Sequence, residues 1–397
     1  MATLTTTHYR AHFGQRIRDG RFTVLRKLGE GITATTWLVR DSQESSDKYA
    51  ALKVLSVEAT EEDGPVRERI YLQDITRRTQ EEEDDEGLDY LPALHDDFIL
   101  EAPPTDHSGP QRHLCLVTTL YSTSVSALRR SSPTKSLPLY MTRSIIYMTV
   151  NALASLHSLK IVHTDVKLDN ILFSNARFSL DAKLETFLDS NPAEEDPETR
   201  IPKSQPIPHE WTYQTTAHEA ERMTVALIDF GHAERAGEEP QAEGFCAPAL
   251  RPPEVLLRSG FGPAIDIWAI GCLTFELLVG RWLFLPEDGG EDWSLEEDHL
   301  AKMMELTGHN TFPKSILDRA KNREKYFDEE GNLRRICELI PVTIEQAMRN
   351  YKIPGLSEED ICEAAEFIRA CLDLDDEKRK TAKELELDDC SYSRKMW

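Results

Sequence analysis

The chain has 397 residues, 40% of them hydrophobic, and carries 70 acidic against 46 basic residues, a formal net charge of −24. This length is enough for one large or two ordinary domains with a sizeable core. No apolar run approaches the about 20 residues that a membrane-spanning helix needs. The acidic balance disfavours direct binding to nucleic acid and favours cationic partners.

The N-terminus and the cysteines are typical of a cytosolic chain. The first residues lack a secretory apolar stretch. They are basic, with no acid before Asp19, but we favour a cytosolic start over a transit peptide. The seven cysteines lie singly, without a CxxC pair or a Cys/His spacing that suits zinc. We therefore expect small buried thiols in a reducing compartment.

In chain order, the periodicity predicts a small strand-rich part followed by a larger helical part. Residues 21–55 alternate as strands around a glycine-containing turn, residues 65–75 predict a helix, and residues 113–120 predict a buried strand that leads into a hinge. From about residue 122 the period becomes helical. AIDIWAIGCLTFELLVG (264–280) is apolar nearly all round, as expected of a central helix. The predicted fold class is α+β.

Two segments interrupt this order. Residues 174–222 are rich in proline and acid and indicate an insertion or a flexible loop. Residues 286–298, PEDGGEDWSLEED, carry seven acids. A charge run of this kind is usually a solvated loop, but it would have a function if it bordered a groove for a cationic substrate.

Glycines and a strand lysine form the first part of a candidate nucleotide site. LGEGITATTW (28–37) has Gly29 and Gly31, which let backbone amides approach phosphate oxygens, and Ala34 in place of a third glycine. Because a strand rather than a helix follows, a dinucleotide-binding turn is disfavoured. Lys53 lies at the distance downstream at which a strand lysine contacts the α- and β-phosphates.

Glu68 is the acid that we expect to pair with Lys53 from the following helix, because apolar residues follow it at helical spacing. The rival acids at positions 61–63 precede Pro65, and we expect them to lie before the helix begins. In a helix with no such role, Glu68 would simply be solvated.

The stretch HTDVKLDN (163–170) is the most specific signal in the chain. Phosphoryl transfer needs a carboxylate that positions the acceptor hydroxyl and accepts its proton, which suits Asp165. Lys167 can neutralise charge on the transferring phosphoryl group, and Asn170 offers an amide oxygen to Mg²⁺. We expect His163 to buttress the loop rather than to transfer protons.

A second acidic position, Asp229, follows a predicted strand in LIDFGHA (227–233). It would hold the metal that bridges the nucleotide phosphates. Each short match could arise by chance, but all of them in this order, on the expected elements, hardly can.

From about residue 20 to about 389 the chain resembles a eukaryotic protein kinase, and within that group it resembles the SR-protein kinase family. The matching stretches are RKLGEGITATTWLVRD, HTDVKLDNIL, AIDIWAIGCLTFELLVGRWLF, GEDWSLEEDHLAKMMELTG and YFDEEGNLRRI. That family itself carries HTD in its catalytic loop and a non-glycine at the position of Ala34. The resemblance implies a bilobal protein-kinase fold with an N-terminal extension (1–20), a small β-rich N-lobe (21–120) and a larger α-helical C-lobe (121–397). The 174–222 insertion would fall between the catalytic loop and DFG.

The resemblance implies ATP and Mg²⁺ as cofactors, and it extends the candidate site. The catalytic residues would be Lys53, Asp165, Lys167 and Asn170, with Asn170 and Asp229 as metal ligands. The nucleotide-binding residues would be Gly29, Glu30, Gly31, Ala51, Lys53, Glu68, Thr118, Leu120 and Asp229.

Thr164 bears on regulation. In kinases that phosphorylation switches on, the residue before the catalytic aspartate is an arginine that pairs with an activation-loop phosphate, which Thr164 cannot do. The resemblance therefore implies a kinase whose activation segment is held active by its own packing. It also implies that Glu254 pairs with Arg379 to brace that segment, and that Asp266 holds the catalytic-loop backbone.

The acidic run acquires a candidate role from the same resemblance. Residues 283–350 would be a docking region for arginine-rich peptides, because guanidinium groups pair bidentately with carboxylates. The acids that we assign to this groove are Asp292, Glu296, Glu297 and Asp298.

Two positions depart from the pattern. Ala247 stands where serine/threonine kinases usually have a threonine that contacts the catalytic aspartate and lysine, which puts acceptor positioning in doubt. Thr118 occupies the gatekeeper position, where the family is typically bulkier, so we predict a more accessible back pocket.

We predict an ATP- and Mg²⁺-dependent serine/threonine kinase that is constitutively active and phosphorylates serines in arginine-rich substrates. We expect a monomer that binds neither nucleic acid nor membrane and is distributed between cytoplasm and nucleus. One alternative is a pseudokinase scaffold for basic partners, which is disfavoured because Lys53, Asp165, Asn170 and Asp229 are all present. Another is an active kinase with a different substrate.

Overall fold

The computed structural model describes residues 7–43, 48–61, 63–82, 84–103, 110–174, 181–240 and 245–389. Small parts of the predicted extension, N-lobe, insertion and C-lobe therefore lie outside the described residues. Among the described helices, none combines the length and the apolar character that crossing a bilayer would require.

The N-terminal part is built on an antiparallel sheet of six strands. Its alternating sequence gives the sheet two apolar faces: Trp37 and Val39 pack against Phe22 on one face, whereas Leu38 packs with Tyr49 on the other. The strands are β1 Arg16–Ile17, β2 Phe22–Glu30, β3 Ala34–Asp41, β4 Tyr49–Leu55, β5 Leu94–Ala102 and β6 Gln111–Thr118. Their order in the sheet is β1-β2-β3-β4-β6-β5.

The remaining part is mainly helical, and its helices form one large apolar cluster. Short strands cross it: β7 Tyr121–Ser124, β8 Ile161–Val162, β9 Ile171–Ser174, β10 Val225–Leu227 and β11 Glu234–Arg235. The helices of the described chain are α1 Val57–Glu61, α2 Asp63–Glu81, α3 Val125–Ser131, α4 Leu139–Ser158, α5 Asp181–Ser190, α6 Ala217–Ala220, α7 Pro253–Leu257, α8 Ala264–Val279, α9 Leu295–Thr307, α10 Lys314–Leu317, α11 Arg323–Tyr326, α12 Ile344–Asn350, α13 Glu358–Cys371 and α14 Ala382–Asp389.

Helix α8 is the central helix that the apolar run predicts, since every residue from Ile265 to Val279 is buried. It ends at Gly280, whose φ of +76° is left-handed. A Cβ on Gly280 would lie 2.3 Å from the carbonyl oxygen of Thr134, so only glycine fits this crossing of the chain.

The catalytic loop is suspended between two pairs of short strands. Strand β8, just before it, pairs with β11, and strand β9, just after it, pairs antiparallel with β7 and β10. Because β10 leads directly into Asp229, this pairing brings the DFG segment beside residues 163–170.

The 174–222 segment contains ordered structure that the sequence did not predict. Helix α5 lies within it, and Leu184 and Ile207 are buried in a cluster with Leu38 and Leu120 of the N-lobe and hinge. The expectation of a flexible loop is therefore wrong for these described residues. The segment is rich in proline and acid overall, but it contains a few apolar side chains that pack against the rest of the protein.

The beginning of the helical region also differs from expectation. Glu61 precedes helix α2, which carries Glu68, as predicted, but it ends a separate short helix, α1; Asp63 is the first residue of α2, so the prediction is wrong for that acid, and Glu62 lies outside the described residues. The reason is a local cap: the Ser56 hydroxyl accepts a hydrogen bond from the backbone of Ala59 at 3.1 Å and starts α1 early.

Candidate active site

Lys53 of β4 lies at the centre of a three-residue ionic cluster. Its Nζ donates to Glu68 Oε1 at 2.7 Å and Oε2 at 2.9 Å, and to Asp229 Oδ1 at 2.8 Å. Glu68 reaches it from helix α2 and Asp229 from the segment after β10. The structure thus brings together three predicted residues that lie far apart in the chain.

The cluster fixes its own charge state. Burial opposes the charge on Lys53, but the carboxylates of Asp229 and Glu68 outweigh it and raise the pKa of the lysine. Lys53 in turn lowers the pKa of Asp229, despite the burial of that carboxyl group. Burial raises the pKa of Glu68 against the pull of Lys53. Lys53 and Asp229 are therefore charged at neutral pH, which suits contacts to phosphate and to a metal ion.

The catalytic loop orients its polar side chains toward Asp165. Lys167 Nζ donates to Asp165 Oδ2 at 2.5 Å, and Asn170 Nδ2 donates to the Asp165 carbonyl at 2.9 Å and to Oδ2 at 3.2 Å. The backbone amide of Ile228 donates to the Asn170 carbonyl at 2.9 Å, which connects this loop to the DFG segment.

His163 has the buttressing geometry expected of it. Its Nε2 donates to the Ile228 carbonyl at 3.0 Å, and its Nδ1 accepts from the Asp165 amide at 3.3 Å. The ring also contacts Phe230 edge-on, with centroids 5.3 Å apart. Both ring nitrogens are therefore engaged in backbone contacts, and none is left for a proton-transfer role.

Asp266 of helix α8 fixes the backbone of the catalytic loop by hydrogen bonds. Its carboxylate accepts from the amides of His163 and Thr164, both at 2.8 Å, and from His157 Nε2 at 2.9 Å. Asp266 is 1% exposed. A buried carboxylate with three donors is well satisfied, so this is a rigid anchor.

Thr164 takes up the position of the absent arginine and is itself buried. Its φ is +66°, and its hydroxyl donates to the His232 carbonyl at 2.7 Å. The Cys246 thiol donates to the Thr164 carbonyl at 3.0 Å. Thr164 therefore joins the catalytic loop to both ends of the activation segment by short contacts that involve no phosphate.

Two ion pairs between helix α2 and strand β11 were missed in the sequence. Arg67 Nη1 lies 2.5 Å from Glu234 Oε2, and Arg235 Nη2 lies 2.8 Å from Asp74 Oδ2. The Arg235 guanidinium also stacks 4.9 Å from the centre of the Tyr71 ring. Single charges in α2 and β11 carry no sequence signal for this pairing, because it depends on how the two elements dock.

The predicted brace of the activation segment is present as a buried pair. Arg379 Nη1 lies 2.7 Å from Glu254 Oε1, and Nη2 lies 3.0 Å from Oε2. Both side chains are at most 1% exposed. The guanidinium also donates to the Ala264 carbonyl at 2.7 Å, which connects the segment to the start of helix α8.

The remaining residues predicted for the nucleotide site lie in strands β2, β4 and β6 of the N-lobe sheet and in the segments that follow β2 and β6. Gly29 is the next-to-last residue of β2, and Gly31 lies in the turn, where its amide donates to the Ala34 carbonyl at 2.8 Å. Glu30 is exposed and paired with Lys27 rather than directed to the cleft.

Ala51 and Thr118 are cross-strand neighbours at the hinge end of the sheet. Both are partly exposed, as an adenine-binding surface requires. Leu120 is 7% exposed, and its side chain belongs to the cluster that holds the insertion.

The predicted docking acids divide into two groups. Asp292 is exposed and Glu296 is partly exposed. Glu297 is fully buried and lies 2.5 Å from Arg335, so its assignment to a substrate groove is wrong. Asp298 accepts from the Glu287 amide at 2.7 Å and pairs with Lys302.

The helix explains this division. Residues 296–298 occupy the first turn of α9, whose successive side chains point in different directions, so an acidic run cannot present every member to solvent. Exposed acids just before α9, which were not singled out in the sequence, are Glu287, Asp288 and Glu291.

The donor set suits a magnesium–nucleotide complex. Asn170 turns its amide nitrogen to Asp165, which leaves its oxygen for a hard cation, and Asp229 uses only Oδ1 for Lys53. Among the described residues there is no group of three or more His, Cys, Asp or Glu side chains that could enclose a metal by itself. Mg²⁺ commonly binds one or two protein oxygens and completes its shell with phosphates, which fits these two residues.

Comparison with known proteins agrees with this geometry. The protein kinase domain family matches residues 22–389. The serine/threonine-protein kinase SRPK of Physarum polycephalum is 27% identical over 387 residues, which cover 93% of this chain and 85% of that protein. The kinase spk-1 of Caenorhabditis elegans is 41% identical over 131 residues (33% of this chain, 12% of that protein), and SKY1 of Saccharomyces cerevisiae is 35% identical over 133 residues (33% and 17%). The chain thus aligns with most of the Physarum kinase but with small parts of the other two.

With most of its length matched, the chain belongs to the protein kinase family, and the α+β bilobal fold predicted from the sequence is confirmed. Family membership implies ATP as the phosphoryl donor. The relatives specify the type further: this is a serine/threonine protein kinase of the SR-protein kinase type.

Proposed function

We propose that the enzyme transfers the γ-phosphoryl group of ATP, with Mg²⁺, to serines flanked by arginine, and that it does so without prior phosphorylation of its activation segment. The observation that carries the first part is an intact catalytic constellation in a chain that also exposes a cluster of acids just before helix α9. The relatives support it, since the similar kinases SRPK and spk-1 are of the SR-protein kinase type.

In this proposal each residue has a defined task. Asp165 orients the acceptor serine and takes its proton, and Lys167, 2.5 Å away, offsets charge that develops on the transferring group. Lys53, fixed by Glu68, contacts the nucleotide phosphates, while Asn170 and Asp229 would hold the metal. The magnesium ion, when bound, neutralises phosphate charge.

Constitutive activity is supported by how the activation segment is held. Arg67 and Arg235 pair with carboxylates across α2 and β11, and Thr164 bonds to the His232 carbonyl. These contacts perform the ordering that a phosphate supplies in switched kinases, because they fix helix α2 and therefore the Lys53–Glu68 pair.

Arginine preference is supported by the exposed acids that precede helix α9. Glu287, Asp288, Glu291 and Asp292 lie within a few residues of one another on the surface. Planar guanidinium groups bind carboxylates bidentately, whereas an ammonium group acts as a point charge. The surface should therefore favour arginine over lysine at equal net charge.

Two matched peptides test the proposal, one with Arg-Ser repeats and one with Lys-Ser repeats of equal length. We expect label from γ-labelled ATP to reach the arginine peptide at least about tenfold faster, and Asp165→Asn to lower the rate about 10²–10⁴-fold. Equal rates on both peptides would show an active kinase with another specificity. Nucleotide binding without transfer to either peptide would favour a scaffold.

A phosphatase separates the regulatory claim from the catalytic one. Wild-type enzyme treated with a broad-specificity phosphatase, which is then removed, should keep its full rate on the arginine peptide. A rate that falls on treatment and recovers on incubation with ATP would contradict constitutive activity.

We further propose that the enzyme acts as a monomer in both cytoplasm and nucleus, away from membranes and nucleic acid.

A further inference from the structure

A cavity of about 950 Å³ lies on the N-lobe, on the side of the sheet away from the nucleotide. Thr35 and Trp37 form part of its wall, and strand alternation places them on the face of β3 opposite to Leu38 and the hinge cluster. The other walls come from the N-terminal segment at 7–15, from Pro103 and Gln111 beside the β5–β6 connection, and from residues 199–202 of the insertion. The volume is within the range of sites for small organic ligands.

The charge of the lining contrasts with that of the whole chain. Its cationic members are Arg10, Lys27 and Arg200, and Glu30 is its only acid among the described residues. Glu30 is already paired with Lys27 and lies 3.5 Å from His8, and Arg200 Nε lies 3.4 Å from Glu195, which is outside the lining. In a protein of net charge −24, a concave surface with this excess of cations favours an anionic occupant.

Buried polar groups on the wall can hold such an anion. Lys27 is 6% exposed and Thr35 is 2% exposed. The Thr35 hydroxyl accepts from Trp37 Nε1 at 3.0 Å, which leaves its own proton to donate. Lys27 has three N–H groups, and the pair with Glu30 does not use all of them.

The rest of the lining is suited to a flat apolar body. Tyr9 and the indole of Trp37 line the inner part, and Ile201, which is 45% exposed, lies with Pro202 at the insertion side. Aromatic and aliphatic walls of this kind bind rings by dispersion and by removing apolar surface from water.

We propose that this cavity binds a small aromatic anion, with its charge toward Lys27, Thr35 and Arg10 and its ring between Tyr9, Trp37 and Ile201. The site does not involve Asp165 or Lys53, so ligand binding here is independent of whether the proposed substrate assignment holds.

The test uses the full chain saturated with a non-hydrolysable ATP analogue and Mg²⁺, so that the nucleotide cleft is filled. The probe is 8-anilinonaphthalene-1-sulfonate, and its fluorescence reports occupancy. N-phenyl-1-naphthylamine, which has the same rings without the sulfonate, is the uncharged control. We expect one saturable site for the anionic probe and an affinity at least about tenfold weaker for the neutral one.

Three variants locate the site. Arg10→Glu reverses a charge on the lining, and Ala102→Trp fills the cavity from its β5 side; each should weaken the anionic probe about tenfold or more. Arg112→Glu, an exposed residue of the same lobe outside the lining, should leave the affinity unchanged. Thermal unfolding of each variant establishes that it is folded.

The proposal is overturned if the probe shows no saturable binding, or if folded Arg10→Glu and Ala102→Trp proteins both bind it as the wild type does. Equal affinity for the charged and uncharged probes would also overturn it, because the cavity would then be selecting rings and not anions.

Discussion

At the scale of single residues, the site depends on side chains whose orientation is fixed by their hydrogen-bond partners. Asn170 is turned by Asp165, His163 is held at both ring nitrogens, and Asp266 is surrounded by donors. Chemistry of this kind is visible in a sequence, because the residue types and their order are themselves the signal. Asp165, Lys167 and Asn170 were predicted for that reason. What the sequence could not reveal was the exposure of each member of an acidic run, and Glu297 was misassigned on that account.

The threonine at position 118 makes a testable difference to nucleotide choice. Thr118 is small, partly exposed and next to Ala51 across the sheet. We expect the wild type to use an ATP analogue with a benzyl group on N6, and Thr118→Phe to lose that use by at least about tenfold while retaining ATP itself. The ratio of kcat/KM for the two nucleotides measures this. An unchanged ratio would place the back of the adenine site elsewhere.

The Glu254–Arg379 pair gives a stability prediction. Replacing Glu254 by Ala leaves a buried guanidinium without its carboxylate and should lower the free energy of unfolding by about 3–5 kcal/mol. Replacing both residues by Met removes both charges and should cost less than the single change. Urea unfolding followed by tryptophan fluorescence measures both. A single variant as stable as the wild type would mean that the pair contributes nothing.

At the scale of elements, the inserted segment belongs to the N-lobe as much as to the C-lobe. Its α5 packs on Leu38, its Gln205 amide donates to the Lys27 carbonyl at 2.8 Å, and its Ile207 carbonyl accepts from the Thr123 amide at 2.9 Å. Glu185 binds Lys48 and the Tyr49 hydroxyl. The segment therefore holds the glycine-rich strand and the hinge at once. Composition concealed this, because a short helix needs only two or three apolar anchors.

Weakening the packing of helix α5 should therefore also weaken the binding of ATP. Leu184 is 2% exposed, and Leu184→Ala should cost about 2–5 kcal/mol in stability because it leaves a cavity. We expect it also to raise the KM for ATP, since the strand that carries Gly29 loses its support. The exposed Lys183→Ala in the same helix is the control and should change neither quantity. A KM that is the same in both variants would confine α5 to a structural role.

At the scale of the whole molecule, the fold class and the order of the lobes were predictable from the change in hydrophobic periodicity near residue 122. The contacts between docked elements were not predictable. The Arg67–Glu234 and Arg235–Asp74 pairs, and the cavity bounded by four separate segments, exist only once the parts have docked. Stability against acid is likewise a property of the assembled interior, because it depends on which histidines are buried.

The acid response can be tested through His299. Burial, with Arg251 nearby, lowers the pKa of His299 to about 3. The unfolded chain binds a proton near the ordinary value and the folded chain does not, so this histidine makes stability fall as pH drops below about 6.5. The loss is at most about 1.4 kcal/mol per pH unit. Buried His113 and half-buried His209, whose pKa values burial also lowers, act with the same sign.

His299→Phe keeps an aromatic ring beside Phe284 and removes the titrating group. We expect its melting temperature to fall less steeply between pH 6.5 and 4.5 than that of the wild type. The exposed His218→Ala should follow the wild-type slope. Parallel slopes for His299→Phe and wild type would show that His299 does not set the acid response.

The arginine pairs between α2 and β11 bear on how a cell would control such an enzyme. If the enzyme is constitutively active, as proposed above, removing phosphate would not release an activation segment that is held by pairs between arginines and carboxylates. On that basis, the amount of substrate phosphorylated in a cell would depend on how much enzyme is made and degraded, or on whether enzyme and substrate are present in the same compartment. Control would then be a matter of supply and encounter, on the slow timescale of protein turnover and transport.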